Sequence, residues 1–340
     1  MSPIAPALDR LIVEVAELTA RLGRRVDVAA MGVLDRTGHV VLNPPGLVSP
    51  NGACRLFRAA DGWMALNLAR VEDQDLVPAW LGCDFGPDPW DAVAAYAGAR
   101  TTAELVAGAT LLGLPAGAVG EVVRDSLEAP RLRHAAGRPG ACLCKVVDLS
   151  ALWAGPMCGA ILAAAGAAVT KVESPRRPDP TRATTPEFFR RLNAAKTPLD
   201  LDLAAPAGLA RLFDEVAAAD VLVTGARPRA LARLGLDPAR VFAANPGLVW
   251  VAVTGYGWTG EAAERVAFGD DAAAAGGLVC WTKDGTPNFL GDALADPVTG
   301  LAAAVGALKA VEEGGGALVD VSLVGSAAGA AHLCKFRPAA

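Results

Sequence analysis

Residues 146–173, VVDLSALWAGPMCGAILAAAGAAVTKVE, contain two short runs of β-branched residues separated by a stretch of small residues. Val146–Leu149 and Ala168–Glu173 have the length and the valine content of buried strands. Between them, Pro156 suits the first position of a helix, where a proline costs no hydrogen bond. The sequence therefore predicts a strand, a helix and a second strand, which is the unit from which parallel sheets are built.

More strand-like runs follow in the second part of the chain. They occupy residues 220–224, 248–254 and 317–321, and helical stretches lie between several of them. Strands that alternate with helices are typical of parallel sheets covered by helices. The sequence therefore predicts an α/β fold class with a mainly parallel sheet.

The first part of the chain has a different pattern. Residues 8–22 show apolar side chains at helical spacing, and two short strands, 54–58 and 62–68, flank the turn signal Asp61-Gly62. The polar stretch RHAAGRPG, residues 133–140, is typical of a linker. We therefore expect a smaller domain at 1–140 and a larger domain at 141–340, in keeping with the usual domain size.

Composition narrows the class of protein. The chain has 340 residues, of which 53% are hydrophobic, and its net charge is −5. These values exclude wholesale disorder and argue against a nucleic-acid binder. The seven cysteines are an odd number, and the first ten residues, MSPIAPALDR, lack the basic and apolar regions of a secretory signal. We expect a cytoplasmic protein with reduced thiols.

One uncharged stretch, Ala151–Val169, approaches the length of a membrane span. Alanine and glycine dominate it, and it lacks the leucine, isoleucine and phenylalanine density of a spanning helix. We therefore expect no membrane contact.

The loop between the first two strands of the second part could approach a phosphate. A glycine turn at a helix start presents backbone N–H groups, and Glu173 at the end of the next strand would suit a ribose. However, Gly155 and Gly159 form G-x-x-x-G and not the dinucleotide pattern G-x-G-x-x-G. Close helix–strand packing, with Pro156 at the first helical position, is the better explanation of these glycines.

Two acidic segments are candidates for chemistry. Asp296-Pro297 precedes a long apolar run, so Asp296 is either a helix N-cap or an ionised nucleophile, and Asp292 competes for both roles. Asp270 and Asp271 are adjacent and would face different directions, which favours an acidic helix start over a carboxylate pair.

Motifs for metal binding are missing from the sequence. His39, His134 and His332 are scattered, and there is no H-E-x-x-H or paired C-x-x-C motif. We therefore expect no metal site.

Six segments, taken together and in order, resemble the family III CoA-transferases (CaiB/BaiF-like), which also include alpha-methylacyl-CoA racemases. The segments are VVDLSALWAGPMCGAILAAAGAAVTKVE, KTPLDLDL, ADVLVTGARPRALARLGLDP, NPGLVWVAVTGYGWTG, GDALADPVTGLAAAVGAL and ALVDVSL. They cover most of residues 145–325. The resemblance implies a Rossmann-like large domain that holds CoA, an acyl-CoA and a carboxylic acid as substrates, and an interlocked homodimer.

The resemblance also implies a catalytic residue. The family's aspartate matches Asp296, which would attack an acyl-CoA thioester and then carry CoA as an aspartyl thioester before an acceptor carboxylate takes it over. Backbone N–H groups at the helix start would stabilise the developing charge.

Contacts to CoA are carried over from the same resemblance. The predicted set consists of Ala151, Leu152, Ala154, Leu201, Gly225, Ala226 and Arg233. Leu201 is expected near the adenine, and Arg233 matches a basic position that binds phosphate. A cation in the last helical turn before Gly235 explains Arg233 as well. Trp153 replaces a glutamine found in some transferases, which argues against a small polar substrate such as oxalate.

The order of the segments differs from that of the family. SPNGACRLFRAADGWMALNL, residues 49–68, and GLPAGAVGEVVRDSLEAP, residues 113–130, resemble the family's small domain, which usually follows the large one. We therefore expect a circular permutation with the smaller α/β domain placed N-terminally. The glycine-rich loop of that domain has no clear match, and residues 44–52 are the nearest stretch.

Two other functions stay open. A 2-methylacyl-CoA racemase pairs its aspartate with a histidine, which is missing before the Ala/Gly run here, so Asp270 or Asp271 would have to replace it. A CoA-binding protein without turnover would keep Asp296 for helix capping alone.

Overall fold

The computed structural model describes residues 2–84, 86, 88–138 and 143–336. Its strands are β1 Cys54–Arg58, β2 Trp63–Asn67, β3 Ala116–Ala118, β4 Arg131–Arg133, β5 Lys145–Leu149, β6 Ala168–Glu173, β7 Thr197–Asp200, β8 Val221–Thr224, β9 Val249–Thr254, β10 Val279–Trp281, β11 Pro287–Phe289 and β12 Ala317–Ser322.

The α-helices are α1 Ala5–Arg21, α2 Val28–Met31, α3 Val71–Leu81, α4 Pro89–Tyr96, α5 Thr102–Leu112, α6 Ala154–Ala164, α7 Thr181–Thr184, α8 Pro186–Asn193, α9 Pro206–Ala217, α10 Pro228–Arg233, α11 Pro238–Ala244, α12 Gly269–Ala275, α13 Ala295–Glu312 and α14 Leu323–Leu333. A short 3₁₀ turn, Ala97–Ala99, follows α4.

Seven strands form the large sheet, in the order β4-β12-β9-β8-β5-β6-β7. All neighbouring pairs are parallel except β4 and β12, which are antiparallel. The chain runs outward from β5 to β7, returns to the other side of β5 with β8, and runs outward again to β12. This is the doubly wound strand order of a Rossmann fold, and the order reverses between β5 and β8. The predicted α/β fold with a mainly parallel sheet is confirmed.

The short valine-rich runs became strands because both faces of the sheet are covered, which favours continuous apolar segments over alternating ones. Strands β8 and β9 are buried at every position. Strands β6, β1 and β2 lie within the predicted ranges. Of these three, only β6 is rich in β-branched residues; β1 and β2 were predicted from the turn signal between them.

The N-terminal segment packs against the large sheet's helices. Residues of α1, including Leu11 and Val15, share one apolar core with Met157 of α6 and Leu301 of α13. Strand β4 extends the edge of the same sheet, although it precedes residue 140. The predicted domain division at 140 and 141 stays a prediction, but the structure places α1 and β4 with the large sheet.

The described part of the predicted linker 133–140 contacts the turn before β12, and the domain boundary there stays a prediction. Arg133 belongs to β4, and Ala135 and Arg138 donate backbone hydrogen bonds of 3.0 and 2.7 Å to Gly316 and Gly314. Three glycines at 314–316 have positive φ angles, and this turn lets the two backbones approach closely. Residues 139 and 140 lie outside the described part of the chain.

The smaller sheet, β1-β2-β3, has a core of its own with α3, α4 and α5. Its hairpin turns at Asp61-Gly62, as the sequence predicts. Its inner residues Cys54 and Ala65 also contact Ala274 of α12. This contact places the small sheet beside α12, the helix whose first turn carries Asp270 and Asp271.

No helix in the described part of the chain is long and apolar enough to cross a membrane. The uncharged stretch 151–169 instead forms the buried helix α6 and the strand that follows it.

Candidate active site

The loops after β5 and β8 meet at the carboxyl edge of the large sheet. A Cβ added to Gly225 would lie 3.3 Å from Ser150 Cβ and 3.6 Å from the backbone nitrogen of Ala151. The crevice at a reversal of strand order is the usual ligand site of a doubly wound sheet. The structure therefore brings Ala151, Gly225 and Ala226, three of the predicted CoA contacts, to one crevice.

The loop after β5 has an unusual backbone. Leu152 adopts a positive φ of 70°, a conformation that non-glycine residues rarely hold. Its N–H donates to Asp179 Oδ2 at 3.1 Å, and Ala154 then begins α6. The sequence predicts Pro156 at the first position of this helix, but the structure places it third. Its missing N–H still falls in the first turn, where no helical hydrogen bond is lost.

Two further predicted contacts lie on other elements. Leu201 follows β7 at the same carboxyl edge; it is buried, and its N–H donates to the Glu173 carbonyl at 2.9 Å. Arg233 is the last residue of α10 and is exposed, and it forms no ion pair with any residue that the structure describes. Glu173, which would suit a ribose, is instead paired with Arg182, so a dinucleotide site is not supported.

Asp296 lies in the first turn of α13 and does not cap it. The helix begins at Ala295, its N-cap is Leu294, and no side chain makes a capping hydrogen bond there. The prediction of Asp296 as an N-cap is therefore wrong, because the chain enters the helix two residues earlier than the Asp-Pro pair suggests. The residue keeps no capping role that would explain its position.

The Asp296 carboxylate lies directly against Gly269, the first residue of α12. A Cβ on Gly269 would overlap Asp296 Oδ2 and would lie 2.7 Å from Ala293 Cβ. Ala293, just before α13, also has a positive φ, of 46°. Local strain of this kind persists only where the surrounding structure fixes it, and it is frequent at functional sites.

The surroundings of Asp296 make it an unusual carboxyl group. Burial raises the pKa of Asp296 to about 7, and the charge of Arg36 opposes this increase. The carboxylates of Asp270 and Asp292 raise the pKa further, and the backbone N–H of Ala154 lowers it. Near neutral pH both protonation states of this carboxyl group are therefore populated, and pKa values perturbed in this way are frequent at functional sites.

The adjacent acids on α12 face different partners, as the sequence predicts. Asp270 accepts hydrogen bonds from Ala293 N at 2.7 Å and from Asn51 Nδ2 at 2.7 Å, whereas Asp271 accepts one from Phe268 N at 3.0 Å. Burial raises the pKa of Asp270 to about 6 and that of Asp271 well above its usual range. Both shifts favour the protonated form relative to an exposed aspartate.

Asp292 is held in an ion pair with Arg36. The guanidinium donates twice, from Nε at 2.8 Å and from Nη2 at 2.6 Å, and Asn51 Nδ2 adds a third bond of 2.7 Å. A carboxylate with these three donors is a poor nucleophile because its charge is already neutralised. The structure thus favours Asp296 over Asp292.

Trp153 is buried near the Arg36–Asp292 pair and does not present its side chain to an open pocket. It is 4% exposed, its Nε1 donates to the Val33 carbonyl at 2.9 Å, and its ring lies 5.2 Å from the Arg36 guanidinium. The described residues contain no group of three or more His, Cys, Asp or Glu side chains that could hold a metal ion.

The comparison with known proteins identifies the second part of the chain. Residues 144–335, more than half of the 340, match the model of CoA-transferase family III. The chain belongs to this family.

The chain matches relatives of CoA-transferase family III along slightly less than half of their length. It is 33% identical to the succinyl-CoA–D-citramalate CoA-transferase of Chloroflexus aurantiacus, over 53% of the chain and 48% of that protein. It is also 33% identical to the mouse succinyl-CoA:glutarate CoA-transferase, over 54% of the chain and 45% of that protein. The chain thus spans about half the length of the curated relatives it matches.

Solved structures give the same result. A CaiB/BaiF family protein from Brucella suis superposes with a TM-score of 0.51 at 31% identity, covering 57% of this chain and 56% of that one. The Rv3272 protein of Mycobacterium tuberculosis superposes with a TM-score of 0.52 at 28% identity, covering 57% of each chain. The family fold therefore applies to the large sheet.

Three residues of this candidate site were not predicted from the sequence. Arg36 and Asn51 lie in irregular segments of the first part, and Gly269 directly precedes the two predicted acids, Asp270 and Asp271. Asn51 falls in the stretch 44–52, the nearest match to the family's glycine-rich loop, and this match stays a prediction. No local pattern marks Arg36.

Proposed function

We propose that the protein is a CoA-transferase that moves CoA from an acyl-CoA to a carboxylic acid through Asp296. The observation that supports this most strongly is the Asp296 carboxylate itself, which has no capping role and has a pKa of about 7. It lies beside the first amide of α6, next to the crevice in which the family fold would hold CoA.

The proposed reaction begins with the ionised Asp296. One carboxylate oxygen attacks the thioester carbonyl, the carbon–sulfur bond breaks, and the electron pair leaves with sulfur as the CoA thiolate. Asp296 is then joined to the acyl group in a mixed anhydride. The thiolate attacks the aspartyl carbon of this anhydride, the carbon–oxygen bond breaks, and the donor acid leaves as a carboxylate.

The second half repeats these steps in reverse with the acceptor. The acceptor carboxylate attacks the aspartyl-CoA thioester, which releases the thiolate and forms a new anhydride. The thiolate then attacks the acceptor's acyl carbon, so that the new acyl-CoA forms and the Asp296 carboxylate is restored. The balance needs no external proton. The N–H of Ala154 would stabilise the negative charge that develops on the aspartyl oxygen when the aspartyl carbon is attacked.

Trapping of the covalent intermediate tests this proposal. The protein is incubated with a panel of thioesters and then with borohydride, which reduces an aspartyl thioester to an alcohol. Succinyl-CoA belongs in the panel because several relatives are named for it. We expect a mass change in the peptide that contains Asp296, none in Asp296→Asn, and an unchanged adduct in Asp9→Asn, a control at an exposed site on α1. The absence of an adduct with every thioester that binds would contradict the transferase.

A proton transfer beside the thioester is the second candidate. It is favoured by Asp270, a second carboxyl in the same cluster whose pKa of about 6 lies near that of Asp296. Two such groups could remove and return the α-proton of a 2-methylacyl-CoA. Exchange of the α-hydrogen in D₂O without transfer of CoA, and its loss in Asp270→Asn, would support this racemase over the transferase.

A further inference from the structure

We propose that Arg36 is a positioning residue that keeps the Asp296 carboxylate ionised for attack, and that Asp292 limits this effect by holding the Arg36 guanidinium. The inference rests on the proposed function of Asp296. It assigns opposite roles to the two members of one ion pair.

The position of Arg36 is fixed on two sides. Its Nε and Nη2 donate to the two oxygens of Asp292 at 2.8 and 2.6 Å, which is the bidentate geometry of a strong pair. One face of the guanidinium lies 5.2 Å from the ring centre of Trp153. The Arg36 side chain is 19% exposed and that of Asp292 is 8% exposed, so water screens the pair only weakly.

Asn51 connects this ion pair to the second acid. Its Nδ2 lies 2.7 Å from both Asp292 Oδ1 and Asp270 Oδ2, so one amide group donates to two carboxylates. The amide is oriented by its own oxygen, which accepts hydrogen bonds from Ala53 N at 2.9 Å and from Ser49 Oγ at 3.1 Å. The loop that carries Asn51 therefore holds Asp270 and Asp292 in fixed positions.

The charges that face Asp296 come from three segments. Arg36 precedes the small sheet, Asp270 and Asp271 lie on α12, and Asp292 lies in the turn before α13. Asp271 instead accepts a hydrogen bond from Phe268 N, and burial raises its pKa well above the usual range. Arg36 is therefore the main cation acting against two carboxylates and against the cost of burial.

Loss of either partner must then change the ionisation of Asp296 in opposite directions. Arg36→Gln removes the positive charge and leaves Asp270 and Asp292, so the pKa of Asp296 rises. Asp292→Asn removes a negative charge and leaves Arg36 uncompensated, so that pKa falls. A change of about one pKa unit alters the ionised fraction about tenfold below the pKa.

Two measurements test the inference. The rate of adduct formation at Asp296 is followed against pH for the wild type, Arg36→Gln, Arg36→Lys and Asp292→Asn, with Arg25→Gln as an exposed control. We expect the acidic limb of the profile to move up by about one unit in Arg36→Gln and down in Asp292→Asn, with Arg36→Lys near the wild type. Arg36→Gln should regain most of its rate at high pH.

The second measurement needs no reaction. Carboxyl ¹³C resonances of aspartate-labelled protein are titrated, and the Asp296 signal is assigned by its loss in Asp296→Asn. Equal titration midpoints of Asp296 in Arg36→Gln, Asp292→Asn and wild type would overturn the inference. If the wild type forms no adduct at any pH, the proposed function is wrong, while the titration still decides the role of Arg36.

Discussion

At the scale of single residues, the site depends on how closely two backbones approach each other. The Asp296 carboxylate rests on the Cα of Gly269, and Ala293 beside it has a left-handed backbone. Neither feature is visible in a local sequence pattern, because the contact joins residues that are separated by 27 positions in the chain. The sequence could supply Asp296 as a candidate, but only the fold shows that the residue is not a cap.

Gly269→Ala is expected to lower adduct formation at Asp296 by at least about tenfold, since the new methyl group would occupy the place of Asp296 Oδ2. Overpacking of this kind also costs about 1–3 kcal/mol of stability, which chemical denaturation measures. Gly98→Ala is the matched control, because the nearest atom to its added Cβ is 3.9 Å away. If Gly269→Ala reacts at the wild-type rate, the carboxylate is not held in this position.

At the scale of elements, a buried ion pair lies beside the loop after β5, which borders the crevice at the carboxyl edge of the large sheet. Lys196 Nζ lies 2.7 Å from Asp148 Oδ2 and 2.8 Å from the Pro156 carbonyl of α6, and both side chains of the pair have no exposed surface. The strands on which the loop depends were predictable from their valines. The cation beneath it was not, since Lys196 comes from a distant segment, KTPLDLDL, whose charge pattern gives no sign of burial.

Asp148→Asn is expected to destabilise the protein by about 3–5 kcal/mol, because it leaves the buried Lys196 without its partner. The double variant Asp148→Asn/Lys196→Met removes both charges and should recover part of that loss. Urea unfolding at neutral pH measures both free energies. A double variant as unstable as the single one would show that the pair itself, and not the orphaned charge, matters.

The same pair gives a pH dependence. The charges of Lys196 and Lys171 hold the pKa of Asp148 at about 2 against the cost of burial. This value lies below that of about 3.9 in an unfolded chain, so the stabilisation is complete above about pH 4 and is lost as the pH falls towards 2. The wild type should therefore lose more stability than the double variant between about pH 5 and pH 2 in urea titrations. Parallel curves would contradict the assigned role of Asp148.

Arg233, the last residue of α10, has two possible roles, which a single variant can distinguish. A contact to a CoA phosphate predicts that Arg233→Ala raises the KM for acyl-CoA, more strongly at low salt, with unchanged stability. A role at the helix end predicts a loss of about 0.3–1 kcal/mol with an unchanged KM. The helix ends at Arg233, and Gly235 has the left-handed backbone of a helix stop. The structure is compatible with either role. Steady-state kinetics and denaturation of one variant decide between them.

At the scale of the whole molecule, the first part of the chain completes the large domain. Helix α1 covers α13, β4 extends the sheet, and Arg36 and Asn51 reach the acids near Asp296. The alternation of strands and helices predicted the sheet, since each element has its own periodicity. It could not predict these long-range contacts, because a helix such as α1 shows an apolar face without showing what covers it.

The proposed circular permutation can be tested by changing the order of the chain. Cys334 beyond α14 lies against the backbone of Ala7 in α1, so the two ends of the described chain are neighbours. A variant in which a short linker joins residue 336 to residue 2, and which is opened between residues 138 and 143, would have the family's order, large domain first. Because a linker between ends that lie close together imposes little strain, we expect its unfolding free energy to stay within about 2 kcal/mol of the wild type. Its adduct at Asp296 should also persist, since Arg36, Asn51 and α13 keep their contacts. A rearranged chain that is insoluble, or that folds without reacting where the wild type reacts, would show that the present order is required and would contradict a simple permutation.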